Sequence, residues 1–102
     1  MSPKPVWISL SNEAQADADA AVDWFTGESA FIAADEFADE LDRALGLLKR
    51  FPELGHASAS NTRTLALHSF PYSLIYRLQG DLIRVIAVAH HSRRPGYWVG
   101  RR

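Results

Sequence analysis

The hydrophobic pattern changes period near residue 55. Before that point Ala14, Ala18, Ala21, Val22 and Phe25 recur at helical spacing, and so do Ala34, Phe37, Ala38, Leu41, Leu45 and Leu48. After it the chain reads as strands. Residues 63–68 alternate with Leu65 and Leu67 inward, residues 72–78 form a second strand, and residues 82–90 a third. The third is apolar on both faces apart from Arg84, the mark of a central strand covered on both sides. A short strand at residues 6–10, rich in β-branched and aromatic residues and following Pro3 and Pro5, precedes the first helix.

The residues between these runs supply the stops. Ser11 or Asn12 offers an N-cap to the first helix, with Gln15 completing a capping-box pattern from Asn12. Gly27 fits its C-cap, and Ser29 can cap a second helix running to about Arg50. Lys49 and Arg50 suit the negative end of that helix dipole, and Pro52 and Gly55 end it. The short link makes the two helices an antiparallel hairpin. Residues 56–61 read as a small, polar loop, and Pro71 bends the chain before the second strand because it has no N–H for a central ladder. The order is β-α-α-β-β-β. It predicts an α+β fold in which residues 1–102 form a single domain, the helix hairpin packed on a mainly antiparallel sheet.

The register of the last hairpin decides which side chains share a face. A two-residue Gly80-Asp81 turn sets Arg77 directly across from Arg84, an unfavourable like-charge pair. A three-residue loop, Gln79 to Asp81, is therefore expected. It pairs Arg77 with Ile83 and puts Ser73, Ile75 and Arg77 on one face with Ile83, Val85, Ala87, Ala89 and His91.

Composition adds limits. The 102 residues contain no cysteine, so disulfides and thiolate metal sites are excluded, which fits a reducing cytosol. No apolar run approaches the roughly 20 residues of a membrane helix, and no signal peptide is visible, so a cytoplasmic protein without membrane association is expected. The net charge of -1 conceals a division. Residues 1–55 hold four basic groups against eleven acidic ones, a balance of -7, whereas residues 56–102 hold seven arginines against Asp81, a balance of +6. The balance argues against broad nucleic-acid coating but leaves room for a local arginine patch that holds a few phosphates.

The candidate chemistry gathers at the C-terminal side. Adjacent histidines on a strand point to opposite faces, so His90 and His91 make a poor metal site, and neither a metal nor a cofactor is expected. Neither Ser73 nor Ser92 lies in a nucleophile elbow. Arg77 and His91, with Arg93, Arg94, Tyr97 and Trp98 beyond the strand, form a group suited to phosphodiesters, and Arg63 and His90 extend it. Arginine stabilises a charged phosphoryl group, histidine exchanges protons near neutral pH, and aromatic rings stack on unpaired bases. A structural role is the alternative: Tyr97 and Trp98 seal the sheet while the arginines pair with the acidic helices.

Together these features resemble the RelE/ParE superfamily of bacterial type II toxin–antitoxin toxins. The resemblance rests on the element order, on Phe37, Leu41, Ala44, Leu45 and Leu48 followed by Pro52 and Gly55, and on Arg63 with Leu65. It rests also on Phe70-Pro71-Tyr72 with Ile75-Tyr76-Arg77, and on Ala87-Val88-Ala89-His90 with Arg93-Arg94-Pro95 and Tyr97-Trp98. It implies a toxin neutralised by a cognate antitoxin whose C-terminal segment folds on binding, the pair reaching operator DNA only through the antitoxin. Two targets are implied within the superfamily, DNA gyrase for ParE-like members and ribosome-bound mRNA for RelE-like ones. RNA-cleaving members carry a catalytic arginine where this chain has Ser73, which favours a non-enzymatic, ParE-like gyrase inhibitor. The alternative is a metal-independent, ribosome-dependent endoribonuclease using His91, Arg93, Tyr97 and Arg77; a second alternative is a non-toxic module that binds the antitoxin. Antitoxin contacts are expected at Arg77, Arg84 and Arg93, in a groove between the helix hairpin and the sheet.

Overall fold

The computed structural model describes residues 6–102; Pro3 and Pro5, used above to place the first strand, lie outside them. The elements are β1 (Trp7–Leu10), α1 (Asn12–Gly27), α2 (Phe31–Arg50), β2 (His56–Ser58), β3 (Thr62–Ala66), β4 (Tyr72–Gln79) and β5 (Leu82–His90). The strands form one sheet in the order β1-β5-β4-β3-β2, with β1 parallel to β5 and every other pair antiparallel. The α+β class is as expected, but the sheet has one more strand. His56–Ser58, read above as loop, pairs with β3 at the sheet edge, His56 opposite Thr64. Its small polar residues carry no strand signal of their own; the pairing supplies it.

α1 starts at Ser11, whose Oγ accepts the Ala14 N–H at 3.0 Å, a cap worth about 1 kcal/mol. The Asn12–Gln15 capping box does not form, and Gln15 bonds Asp19 instead. Gly27 remains helical. The left-handed residue of the turn is Ser29, at φ 57°, so it does not cap α2, which begins after Ala30 with no side-chain cap. α1 buries Ala14, Ala18 and Ala21. α2 buries Ala34, Phe37, Ala44 and Leu48, a three-four spacing that leaves Ala38 exposed.

The sheet carries apolar clusters on both faces. On the helix side Phe37 and Leu48 pack against Leu74, Tyr76, Ile83, Val85 and Val88. On the other side Ile75, Ile86, Ala87 and Ala89 are covered by Trp98, with Tyr97 beside it. The C-terminal segment therefore acts as the second cover of β5.

The β4–β5 turn has two residues, not three. Gln79 pairs with Leu82, Gly80 takes φ 63°, and Arg77 stands directly opposite Arg84. The like-charge pair is tolerated because the guanidiniums diverge. Arg77 Nη1 donates to the Arg101 carbonyl at 2.7 Å, whereas Arg84 Nη1 donates to Ser9 Oγ at 2.6 Å. A bulge then intervenes: Tyr76 faces Val85 and Ile75 faces Ala87, leaving Ile86 as an extra residue on β5. Past the bulge Ser73 and Ile75 share a face with Ala87 and Ala89, the parity that the sequence predicts, although Ser73 now pairs with Ala89.

β1 ends at Leu10, opposite Val85, so β5 continues without a strand on that side. Asp17 of α1 accepts the Val88 N–H at 3.1 Å, and Arg101 Nη1 donates to the Ile86 carbonyl at 3.1 Å. The two side chains are themselves joined at 2.6 Å. An ion pair thus supplies the donor and acceptor that a neighbouring strand would have supplied.

Candidate functional site at the ends of β4 and β5

The end of β5 sends its two histidines to different sides. The His90 ring meets Tyr72 edge-on at 4.9 Å, and its Nδ1 accepts the Ser92 N–H at 2.9 Å. An Nδ1 that accepts leaves Nε2 to carry the proton of the neutral ring. His91 donates its N–H to the Pro71 carbonyl, and its Nε2 lies 2.8 Å from the buried Ser73 Oγ. Beyond them the Arg93 guanidinium stacks 4.0 Å over the Tyr97 ring, and Arg101 lies 5.0 Å from the same ring.

Two spaces flank this end. A cleft of about 540 Å³, between α1 and the strand ends, is lined by Trp24, Phe25, Phe70, Tyr72, His90 and Arg93. A smaller pocket of about 180 Å³, on the face away from the helices, is bounded by Thr64, Ser73, His91, Arg94 and Trp98 among others. Among the described residues no three His, Asp or Glu side chains come together as metal ligands.

Burial raises the Tyr97 phenol above its ordinary value, and the Asp17 charge raises it further. Burial also raises Tyr72 and Tyr76. A raised phenol binds its proton more tightly in the folded state, so this stability is whole below about pH 10, the unfolded tyrosine value. It is lost as pH rises through the raised folded values. Urea unfolding at increasing pH should show constant stability up to about pH 9.5 and a progressive fall above it, smaller in Tyr97→Phe.

The structure gathers only part of the expected set. His90, His91, Arg93, Arg94, Tyr97 and Trp98 all border the smaller pocket, and His90, Arg93 and Tyr97 also border the space against α1. Arg77 is four residues along β4 from Ser73, about 13 Å at strand spacing, and is bonded to the C-terminal backbone. Arg63 Nη1 donates to the carbonyls of Gly55 (2.7 Å) and Glu53 (3.2 Å), holding the loop after α2. Trp98 is 7% exposed and belongs to the core, with no free ring face to offer a base. Arg77 and Arg84 lie on the sheet face away from the helices, so they do not share a groove with Arg93 as expected. Sequence reasoning passed over Trp24, 61% exposed at the cleft, and the Asp17–Arg101 pair. Trp24 falls off the alanine stripe of α1, a legible sign of an unburied indole.

A helix hairpin on one side of a five-stranded sheet, with a basic and aromatic strand end, describes a small α+β protein whose candidate site lies at the ends of β4 and β5. The family model described as ParE toxin of type II toxin-antitoxin system, parDE, matches residues 8–95, and the chain belongs to that family. A solved structure described as the chromosomal ParDE TA system from P. aeruginosa is similar with a TM-score of 0.73 and 20% sequence identity. That likeness covers 83% of this chain and 95% of the other, and it shows the fold. No curated protein matches the sequence. Membership implies an antitoxin partner, and no helix among the described residues is long and apolar enough to cross a membrane.

Proposed function

We propose that this chain is a toxin that arrests growth by acting on DNA gyrase in the cytoplasm, with residues 1–102 as one toxin domain and a cognate antitoxin that neutralises it. Operator DNA is contacted through the antitoxin alone. The observation that carries this reading is the partner of His91. Its Nε2 meets the neutral hydroxyl of Ser73, and Arg77, the only arginine of β4, is drawn away to the Arg101 carbonyl. No cation from β4 stands beside His91 to stabilise the charged phosphoryl group of RNA cleavage. Purified protein should inhibit gyrase supercoiling at concentrations that stop growth. Growth arrest without such inhibition would remove the reading.

RNA cleavage on the ribosome has one observation in its favour, the pocket that brings His91 together with Arg93, Arg94 and Tyr97. Primer extension on translated messages distinguishes it: new 5′ ends after induction, lost in His91→Ala and Arg93→Ala, would establish the nuclease. The antitoxin reading is narrower than Arg77, Arg84 and Arg93 together. The cleft at Trp24, Phe70 and Tyr72 suits an apolar side chain, and Arg93 at its rim suits a neighbouring carboxylate.

A further inference from the structure

The helix-free face of the sheet collects positive charge without carboxylate side chains to neutralise it. Arg77 and Arg84 are directly paired across β4 and β5, an arrangement that destabilises a sheet. Among the described residues no carboxylate side chain partners either of them: Arg77 donates to the Arg101 and Ser60 carbonyls and Arg84 to Ser9 Oγ, with the backbone oxygen of Arg102, the last residue, 3.4 Å from Arg84 Nη2. Asp81, the acid nearest in sequence, lines the groove on the helix side with Val6 and Ile83. The remaining carboxylates among the described residues lie on α1, α2 and the loops that follow them. Both arginines keep part of their surface in solvent.

Trp7 stands on this same face. Ile8 packs into the helix-side cluster, so its neighbours Trp7 and Ser9 point the other way, and Ser9 is the residue bonded to Arg84. Trp7 is 65% exposed, beside β5 at Leu82 and two residues along from the pairing of Ser9 with Arg84. An exposed ring beside cations is the equipment of proteins that hold unpaired nucleic-acid strands, the cations tracking phosphates while the ring takes a base.

We propose that Arg77, Arg84 and Trp7 form a binding site for a single nucleic-acid strand, separate from the cleft at His90 and Arg93. The acidic helices lie on the opposite side of the sheet, so the charge division orients the molecule with this face toward a polyanion. An acidic peptide would satisfy the guanidiniums but gives no use to the indole. The site does not rest on gyrase inhibition, and its test contains neither gyrase nor antitoxin, so either reading can fail alone.

The test is fluorescence anisotropy of a labelled, mixed-sequence DNA strand of about 12 nucleotides, titrated with the full chain across a salt series. Arg84→Gln should reduce the slope of log affinity against log salt by about 0.7, the value of one phosphate contact on a single strand, and Arg84→Lys should restore it. Trp7→Ala should weaken binding about tenfold with little change in slope. Thermal melts confirm that each variant is folded; Arg84 is preferred to Arg77, which also anchors the C-terminal segment. Absence of binding at low salt, a slope indifferent to Arg84→Gln, or displacement of the DNA by polyglutamate at equal charge would each overturn the proposal.

Discussion

Gly55→Ala is expected to destabilise the protein by about 3 kcal/mol, read as a lower midpoint of urea unfolding with an unchanged slope. The reason is a close approach and not a backbone angle. A Cβ at position 55 would lie 2.8 Å from the Tyr76 hydroxyl and 2.9 Å from the Thr64 carbonyl. Tyr76 is fully buried, and its hydroxyl accepts the Gly55 N–H at 2.9 Å while donating to the Pro52 carbonyl at 2.8 Å. The new methyl must push the phenol aside and break both bonds that tie the α2–β2 loop to the sheet. Tyr76→Phe, which loses the bonds without a clash, should cost about 2 kcal/mol. The double variant should cost less than the sum, because both changes break the same two hydrogen bonds and loss of the hydroxyl removes one of the close contacts, those with Tyr76 Cε1 and the Thr64 carbonyl remaining.

Asp17→Ala is expected to cost a similar amount, about 3 kcal/mol, for a different cause. Asp17 and Arg101 are each 15% exposed, and removing Asp17 leaves Arg101 largely desolvated with only the exposed Glu13 carboxylate, 3.2 Å from its Nε, as an ionic partner. It also strips the Val88 N–H of its acceptor. Residual exposure places the effect at the lower end for a broken buried pair. Asp17→Asn keeps an oxygen for Val88 and should cost less. Hydrogen exchange separates local from general loss: the Val88 amide should lose protection in Asp17→Ala beyond the amides of β3.

Both effects concern residues whose importance was hidden in the sequence to different degrees. Gly55 is visible as a helix stop, but its contact with Tyr76 spans 21 residues and no periodicity reports it. Asp17 is one acid among eleven in its half of the chain, and its partner lies 84 residues away. Charge shows that such pairs exist and not which residues form them. The helices, by contrast, are legible because the alanine stripe of α1 and the Phe37-to-Leu48 stripe of α2 repeat at the helical period. β4 and β5 are legible as runs rich in β-branched and aromatic residues, β5 apolar on both faces apart from Arg84. β2 is not, because three small residues become a strand only when β3 lies beside them.

The turn register failed on a sound rule applied too locally. Like charges across a sheet are unfavourable, yet the cost falls once Arg77 and Arg84 reach different oxygens, and those oxygens belong to distant segments. The strand-end residues were still assigned to the right faces, since the bulge moves the pairing on by one residue and so restores the parity. Of the candidate site, the divergence of His90 and His91 could be read from alternation alone. The cleft could not, because Trp24, Phe70 and Arg93 meet only after α1 has docked.

The extra residue at Ile86 makes the chemistry of the strand end a matter of counting. Ile83 and Val85 face the helices, Ile86 and Ala87 both face away, and Val88 faces the helices again, so the bulge reverses the alternation of β5 once. A regular strand of the same sequence would turn His91 toward the Trp24 cleft and His90 toward the face of Ser73. Deleting Ile86 would not exchange them, because it removes the extra residue together with the reversal and leaves every later side chain on its present face. Which histidine meets which neighbours is thus set by one irregularity upstream in the strand and not by the side chains around it.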